Sequence, residues 1–214
     1  MTGEEAERIL ALSVERNVPL AATNVFLFAE FFENFIHLAR QSGPIEAIRV
    51  EWEDPAVEIR YGEYKSYDSS VPIFVDWLPH IVAMIETLIG SASASCDAVD
   101  VRRGGASLGL KLAFNEVGCT IDLTRSGTVR KRLLDVSTPR DELRLDFSNE
   151  PGFITRSGIT EKAAQYRDPK RGPVAYMLMA FMDLVTDGKD EKRLDGDTDR
   201  KLVLDYLATL DDRR

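Results

Sequence analysis

The sequence is poor in the residues that staple, ligate or anchor a chain. Only two cysteines occur among 214 residues, Cys96 and Cys119. Neither has a CxxC partner or a metal-ligand spacing, which argues against a disulfide framework and against a cysteine zinc site. Two buried or half-buried thiols in a reducing compartment are expected instead. No apolar run approaches the ~20 residues that a membrane span needs. The opening residues, Met1-Thr2-Gly3-Glu4-Glu5, are acidic and helix-like, unlike a signal peptide. The expected location is the cytoplasm. Positive charge is also short: 27 Lys and Arg stand against 36 Asp and Glu, a net charge of -9. Such a surface repels the phosphates of nucleic acid and of anionic membrane, so neither is an expected partner.

Nucleotide and hydrolase signatures are lacking too. Gly104-Gly105-Ala106-Ser107-Leu108-Gly109 has the wrong glycine spacing for GxGxxG and lies between strand patterns. There is no Walker loop, no GxSxG elbow, and no nucleophile placed beside a base.

What is present is an ordinary globular composition, 44% hydrophobic and 29% charged, long enough for one sizeable core. The pattern predicts a single domain over 1–214. Thr2-Gly3-Glu4-Glu5 reads as a capping box before a helix carrying Ala6, Ile9, Leu10 and Val14 on one face and ending at Asn17. Val18 to Thr23 reads as a short strand. Phe28, Phe31, Phe32, Phe35, Ile36 and Ala39 keep helical spacing up to Gly43, a core stripe rather than a cofactor box. His37 lies off that stripe, as a solvated surface histidine would.

The period then changes to two. Ile48, Val50 and Trp52 alternate with Arg49, Glu51 and Glu53, a strand with one buried and one polar face. Residues 54–71 have no clear period and are rich in Tyr, Ser and charge. A loop this long is either functional or merely exposed. Ile81 to Ile89 forms an apolar helix face. Alternating strands follow at 108–114, 119–123 and 143–147, with turn signals at Gly104-Gly105, Asn115 to Gly118 and Ser126-Gly127. Residues 152–171 read as irregular. The tail returns to helix, with one stripe at Val174, Met177, Leu178, Phe181, Met182 and Val185. A second runs through Leu202, Val203, Tyr206, Leu207 and Leu210, with Asp197 or Thr198 as its N-cap. The expected fold class is α+β, an antiparallel meander with helices packed on one face.

The sharpest local feature is Asp76-Trp77-Leu78-Pro79-His80. Proline is welcome in the first turn of a helix, so the helix is expected to begin near Trp77, with Asp76 at or near its N-cap and His80 in its first turn. That end favours an anion and disfavours an imidazolium. Asp76 and His80 then suit a general base or proton donor pair. A capping Asp beside a half-buried His is the plainer alternative. Zinc is not expected, because Asp76 and His80 lack further ligands.

Read in order, these elements resemble the glucose–fructose oxidoreductase / inositol dehydrogenase / MocA (Gfo/Idh/MocA) family of NAD(P)-dependent enzymes. Residues 2–9 resemble the helix after its Glu-Lys-Pro motif. Val18-Pro19-Leu20 through Asn24 resembles the last strand of its Rossmann half. Gly43-Pro44-Ile45 to Ile48 resembles the turn into its second domain, Asp76-x-x-x-His80 its Asp-x-x-x-His, and Gly172-Pro173-Val174 its closing helices. The resemblance covers nearly the whole chain, and the order and spacing of the motifs carry it. It implies an open, mainly antiparallel sheet, residues 1–24 as the tail of a Rossmann domain, and 25–214 as a substrate-binding and oligomerisation domain.

The departures are as telling. The chain begins past the dinucleotide fingerprint and the Glu-Lys-Pro lysine. Asn24-Val25-Phe26-Leu27-Phe28 lacks the family's arginines at that segment, and Val71-Pro72-Ile73-Phe74 replaces a Gly-Gly pair. The resemblance implies that His80 exchanges a proton with a substrate hydroxyl or carbonyl while Asp76 orients it. Asn24 is the implied cofactor contact. Tyr64, Lys65, Tyr67 and Trp77 are the candidate substrate-binding residues, the first three as possible stand-ins for the lysine. No cofactor is expected to be held by this chain alone; NAD(P) is expected only with a Rossmann-domain partner. A homodimer through the open sheet face is expected, and a sugar-like hydroxy or keto metabolite as substrate. The alternatives are a cofactor-independent lyase, isomerase or cyclase, and a non-catalytic binding module.

Overall fold

The computed structural model describes residues 3–60, 62–66, 70–90, 94–165 and 172–195. Its core is one eight-stranded open sheet with helices on one face, an α+β fold as the sequence implies. The central strand is β1 (Ala47–Pro55). On one side it pairs antiparallel with β7 (Lys131–Ser137), then β8 (Glu142–Asp146), β9 (Phe153–Arg156) and β10 (Ile159–Lys162). On the other it pairs in parallel with β6 (Val117–Gly127), followed by β5 (Ser107–Phe114) and β4 (Ala94–Arg102). That parallel junction is the one departure from a meander.

Register puts the apolar residues on one face, because alternate side chains share a side. Trp52 lies opposite Leu123 of β6 and opposite Arg132 of β7. Ile48, Val50, Leu110, Ile121, Leu134, Val136, Leu143 and Leu145 are buried on the same side. Over them lie helices α2 (Glu30–Ser42) and α3 (Ile73–Ile89). The Phe stripe of α2 is core, as its spacing predicts, although Phe28 belongs to the 3-10 helix Val25–Phe28 just before it. Gly43 ends α2 with φ +119, a conformation that favours glycine. Phe147 joins the two layers. It stacks on Phe31 at 5.4 Å between ring centroids and meets Phe26 and Trp52 edge-on at 5.5 and 6.0 Å.

Several sequence expectations need correction. Val18 to Thr23 joins neither of the described sheets; it is tied by Val18 N–H donating to the Ser13 carbonyl at 2.9 Å and Ala22 N–H to the Leu194 carbonyl at 2.8 Å. Residues 54–71 are not structureless: β2 (Val57–Arg60) and β3 (Glu63–Ser66) form a separate hairpin. Strands β4, β7, β9 and β10 also went unread. In β7 a Leu133-Leu134 pair blurs the alternation, and β10 is exposed along its length, so burial leaves no imprint on it. Helix α1 (Gly3–Arg16) forms, but Ile9, Leu12 and Val14 are exposed. Helix α4 (Pro173–Asp187) likewise carries its apolar stripe outward, with Met177 its one buried residue. Thr2, Tyr67 and the stripe at 202–210 lie outside the described residues. Among the described residues no helix is long and apolar enough to cross a membrane.

The aromatic layer makes a direct prediction. Phe147→Ala removes the ring shared by sheet and helix and should destabilise the fold by about 3–5 kcal/mol, read from the urea midpoint.

Candidate functional site

Helix α3 starts a full turn earlier than the sequence suggests. Pro72 is its N-cap, Asp76 lies in the first turn, and Pro79 is interior. Pro79 has no N–H to give the Val75 carbonyl, a cost the helix bears because Ile73 and Trp77 extend its buried face N-terminally. Asp76 and His80 are therefore successive-turn neighbours on one face rather than a cap and its follower.

Two arginines that the strand patterns hide lie beneath them. Arg125 and Arg132 are 3% and 5% exposed. Arg132 is placed by register, directly opposite Trp52. Arg125 keeps the inward phase of Ile121 and Leu123 at the point where β6 bulges: Glu53 pairs with Thr124 and Pro55 with Gly127, so two residues of β6 oppose Asp54 alone. Ser126 takes up the bulge with φ +53.

The guanidinium of Arg132 sits 4.5 Å from the Trp52 ring centroid and 5.1 Å from that of Trp77. Arg125 lies 5.3 Å from Trp77. A desolvated cation–π contact contributes roughly 2 kcal/mol, while an uncompensated buried charge costs several kcal/mol. The carboxylates therefore decide whether this burial is tolerable. Arg132 donates to Asp54 Oδ2 at 2.7 Å and to the carbonyls of Glu53 and Lys131 at 3.2 and 3.0 Å. Arg130 donates to the other Asp54 oxygen at 3.1 Å and reaches Glu58 of the β2–β3 hairpin at 3.6 Å. Arg125 donates to the Asp76 carboxylate and to the Val71 carbonyl, just ahead of α3.

His80 is half-buried, with Phe26 edge-on at a centroid distance of 5.8 Å. Burial lowers its pKa from the ordinary 6.5; the nearby Asp76 charge pulls the other way and is the smaller influence. Its Nδ1 is buried with no hydrogen-bond partner among the described residues. An imidazolium would leave a charged N–H there unsatisfied, so the neutral ring is the favoured form. A neutral imidazole near neutral pH can accept or give a proton.

The other candidates separate. Trp77 is buried as the platform between the two arginines. Asn24 is buried too, and its carbonyl accepts from Leu27 N–H at 3.0 Å at the start of the 3-10 helix. Tyr64 lies on β3, 69% exposed, opposite Ile59; Lys65 pairs through its backbone with Glu58. Gly104-Gly105 lies in a 3-10 turn between β4 and β5, with no helix after it to receive a phosphate. Among the described residues no cluster of His, Cys, Asp and Glu could hold a metal ion.

No family model and no curated protein matches the sequence. Solved structures do match in shape. The dehydrogenase MviM from Clostridium difficile aligns with TM-score 0.73 at 12% identity, over 97% of this chain and 68% of its own. UDP-N-acetylglucosamine 3-dehydrogenase GnnA from Acidithiobacillus ferrooxidans gives 0.70 at 16%, over 96% and 65%. KijD10, a 3-ketoreductase from Actinomadura kijaniata solved with NADP, gives 0.71 at 15%, over 97% and 66%. The chain has the fold of these dehydrogenases. This chain spans about two thirds of their length.

The state of His80 has a pH signature. Its folded pKa lies below its unfolded one, so its contribution to stability is complete above 6.5 and is lost as pH falls through the folded pKa. Between pH ~7 and ~5 the urea midpoint should fall more in the native protein than in His80→Gln.

Proposed function

We propose that this chain is the substrate-facing half of an oxidoreductase acting on a sugar-like hydroxy or keto metabolite. The observation that carries the reading is His80: a half-buried, neutral-leaning imidazole beside Asp76, on a fold shared with sugar-modifying dehydrogenases. In this reading residues 25–214 form the substrate and oligomerisation domain, and residues 1–24 correspond to the end of a dinucleotide-binding domain. His80 exchanges the proton of the substrate hydroxyl or carbonyl oxygen. Its Nε2 is the nitrogen for that exchange, because Nδ1 is buried. Trp77 forms the floor of the site. Tyr64, Lys65 and Tyr67 belong to the segment that would set specificity. The Asp76 carboxylate is held by Arg125, and in this reading it acts on His80 through its charge.

Gly104-Gly105 precedes a strand rather than a helix, and Asn24 is buried within its own turn. A nicotinamide, where one is used, would have to be held by other residues, such as those of a Rossmann-domain partner. Support for such a partner comes from α4, whose Val174, Leu178, Met179, Met182 and Val185 stand exposed. The neutral-leaning imidazole also suits a second reading, a cofactor-independent lyase, isomerase or cyclase that uses the His80 proton alone. A cytoplasmic location suits the thiols Cys96 and Cys119, the latter pushed by burial up to about 12.

Two measurements test the reading. The 214-residue chain is titrated with NADH and NADPH, following fluorescence and heat, and is expected to bind neither at micromolar affinity. Turnover of sugar-like hydroxy and keto metabolites, with and without a Rossmann partner, should fall by about 10²–10⁴-fold in His80→Ala. Activity without nicotinamide that is lost in His80→Ala would select the second reading. Unchanged turnover in that variant would sink both.

The open sheet face is the proposed homodimer surface. It is laced with charge: Lys131 donates to Glu51 at 2.6 Å, Arg144 to Asp135 at 2.6 and 2.9 Å, and Arg102 to Asp122 at 3.3 Å. Both signs are interspersed, as a two-fold, self-matching patch needs. Light scattering should give a two-chain mass at low salt and weaker association near 1 M salt, where charges are screened within about 3 Å.

A further inference from the structure

A carboxylate one helical turn before a histidine ordinarily pairs with it. Asp76 stands in that relation to His80, yet its bonded partner is Arg125, reaching up from the sheet. Three features fix that partnership. Arg125 keeps the inward phase of Ile121 and Leu123, and the bulge completed at Ser126 ends the regular pairing just beyond it. The Arg125 backbone is pinned, its N–H donating to the Ala106 carbonyl at 2.7 Å. The same guanidinium also binds the Val71 carbonyl, so it grips α3 both before its first residue and within its first turn.

We infer that Arg125 is a positioning residue: by holding the Asp76 carboxylate against β6, it keeps that carboxylate from forming an ion pair with His80. The inference deepens the reading of the same site and takes its functional meaning from it. Among the described residues, Phe26 covers the imidazole from the 3-10 helix, Asp76 is the charged group acting on it from its own helix, and Arg125 of β6 is bonded to that aspartate. Without Arg125, the Asp76 charge would be uncompensated one turn from the ring. The imidazolium would then be stabilised and the proton less readily given up.

The test is a proton NMR titration of the full chain without substrate. It has only two histidines, so His37→Gln assigns both signals. In Arg125→Gln the His80 midpoint should rise by about one pH unit. Arg125→Lys should restore it toward the native value, and adding Asp76→Asn to Arg125→Gln should abolish the rise. Asp76→Asn alone, at a half-exposed position that tolerates the change, should lower the midpoint by less than about half a unit. An unmoved midpoint in folded Arg125→Gln overturns the inference. So does a fall of about one unit in Asp76→Asn, which would mean that the aspartate already serves His80 directly. Because no substrate is involved, these outcomes are separate from the turnover of His80→Ala, which tests the proposed function.

Discussion

The guanidinium of Arg132, lying over Trp52 and Trp77 and tied to Asp54, is the joint on which the molecule depends. It belongs to β7, covers an indole of β1 and supports an indole of α3. Its carboxylate partner also takes Arg130, which reaches the β2–β3 hairpin through Glu58. Sheet, helix and hairpin therefore meet at one buried cation. Such an arrangement holds only if every partner is in place, because a buried guanidinium stripped of its carboxylate is worth far less than an apolar replacement. The position of α3, and with it of Asp76 and His80, follows from this joint and from the neighbouring Arg125 clamp.

Much of the frame was legible because burial writes a period into the chain. Phe31, Phe32 and Phe35 at helical spacing, and Ile48, Val50 and Trp52 at spacing two, each record one buried face. Where burial is absent or mixed, the record fades. Strand β10 is exposed throughout, and the β2–β3 hairpin carries Ile59 and Tyr64 in the open, so neither could be read. Helix α4 shows the opposite failure. Its stripe is as regular as any in the chain, yet most of it faces outward. Periodicity tells which face is apolar, not what covers it.

The candidate site was legible in part for a similar reason. Asp76, Trp77 and His80 are adjacent in sequence and could be read together. Arg125 and Arg132 could not be tied to them, because their place depends on strand register and on a bulge. A signal did exist. Arg125 continues the inward register of Cys119, Ile121 and Leu123, and Arg132 shares the register of Leu134 and Val136. An arginine on the apolar phase of a strand must be either an edge residue or a buried, partnered charge. The helix start was misplaced for a different reason. Proline rules give the local preference, and the burial of Ile73 and Trp77 outweighs it.

The position of β1 also bears on how the chain reaches this structure. Ala47 pairs with Gly118 on one side and with Ser137 on the other. The middle of the sheet therefore joins residues 71 and 90 positions apart, while β4, β5 and β6 pair with near neighbours in sequence. Closing such long loops is slow relative to forming hairpins. The β4–β6 meander can assemble as soon as it is made and can receive β1 along β6, but Trp52 lacks its Arg132 cover until β7 has been synthesised. A nascent chain halted before Arg132 would leave one edge of its own central strand unpaired, the kind of edge that invites pairing with another chain.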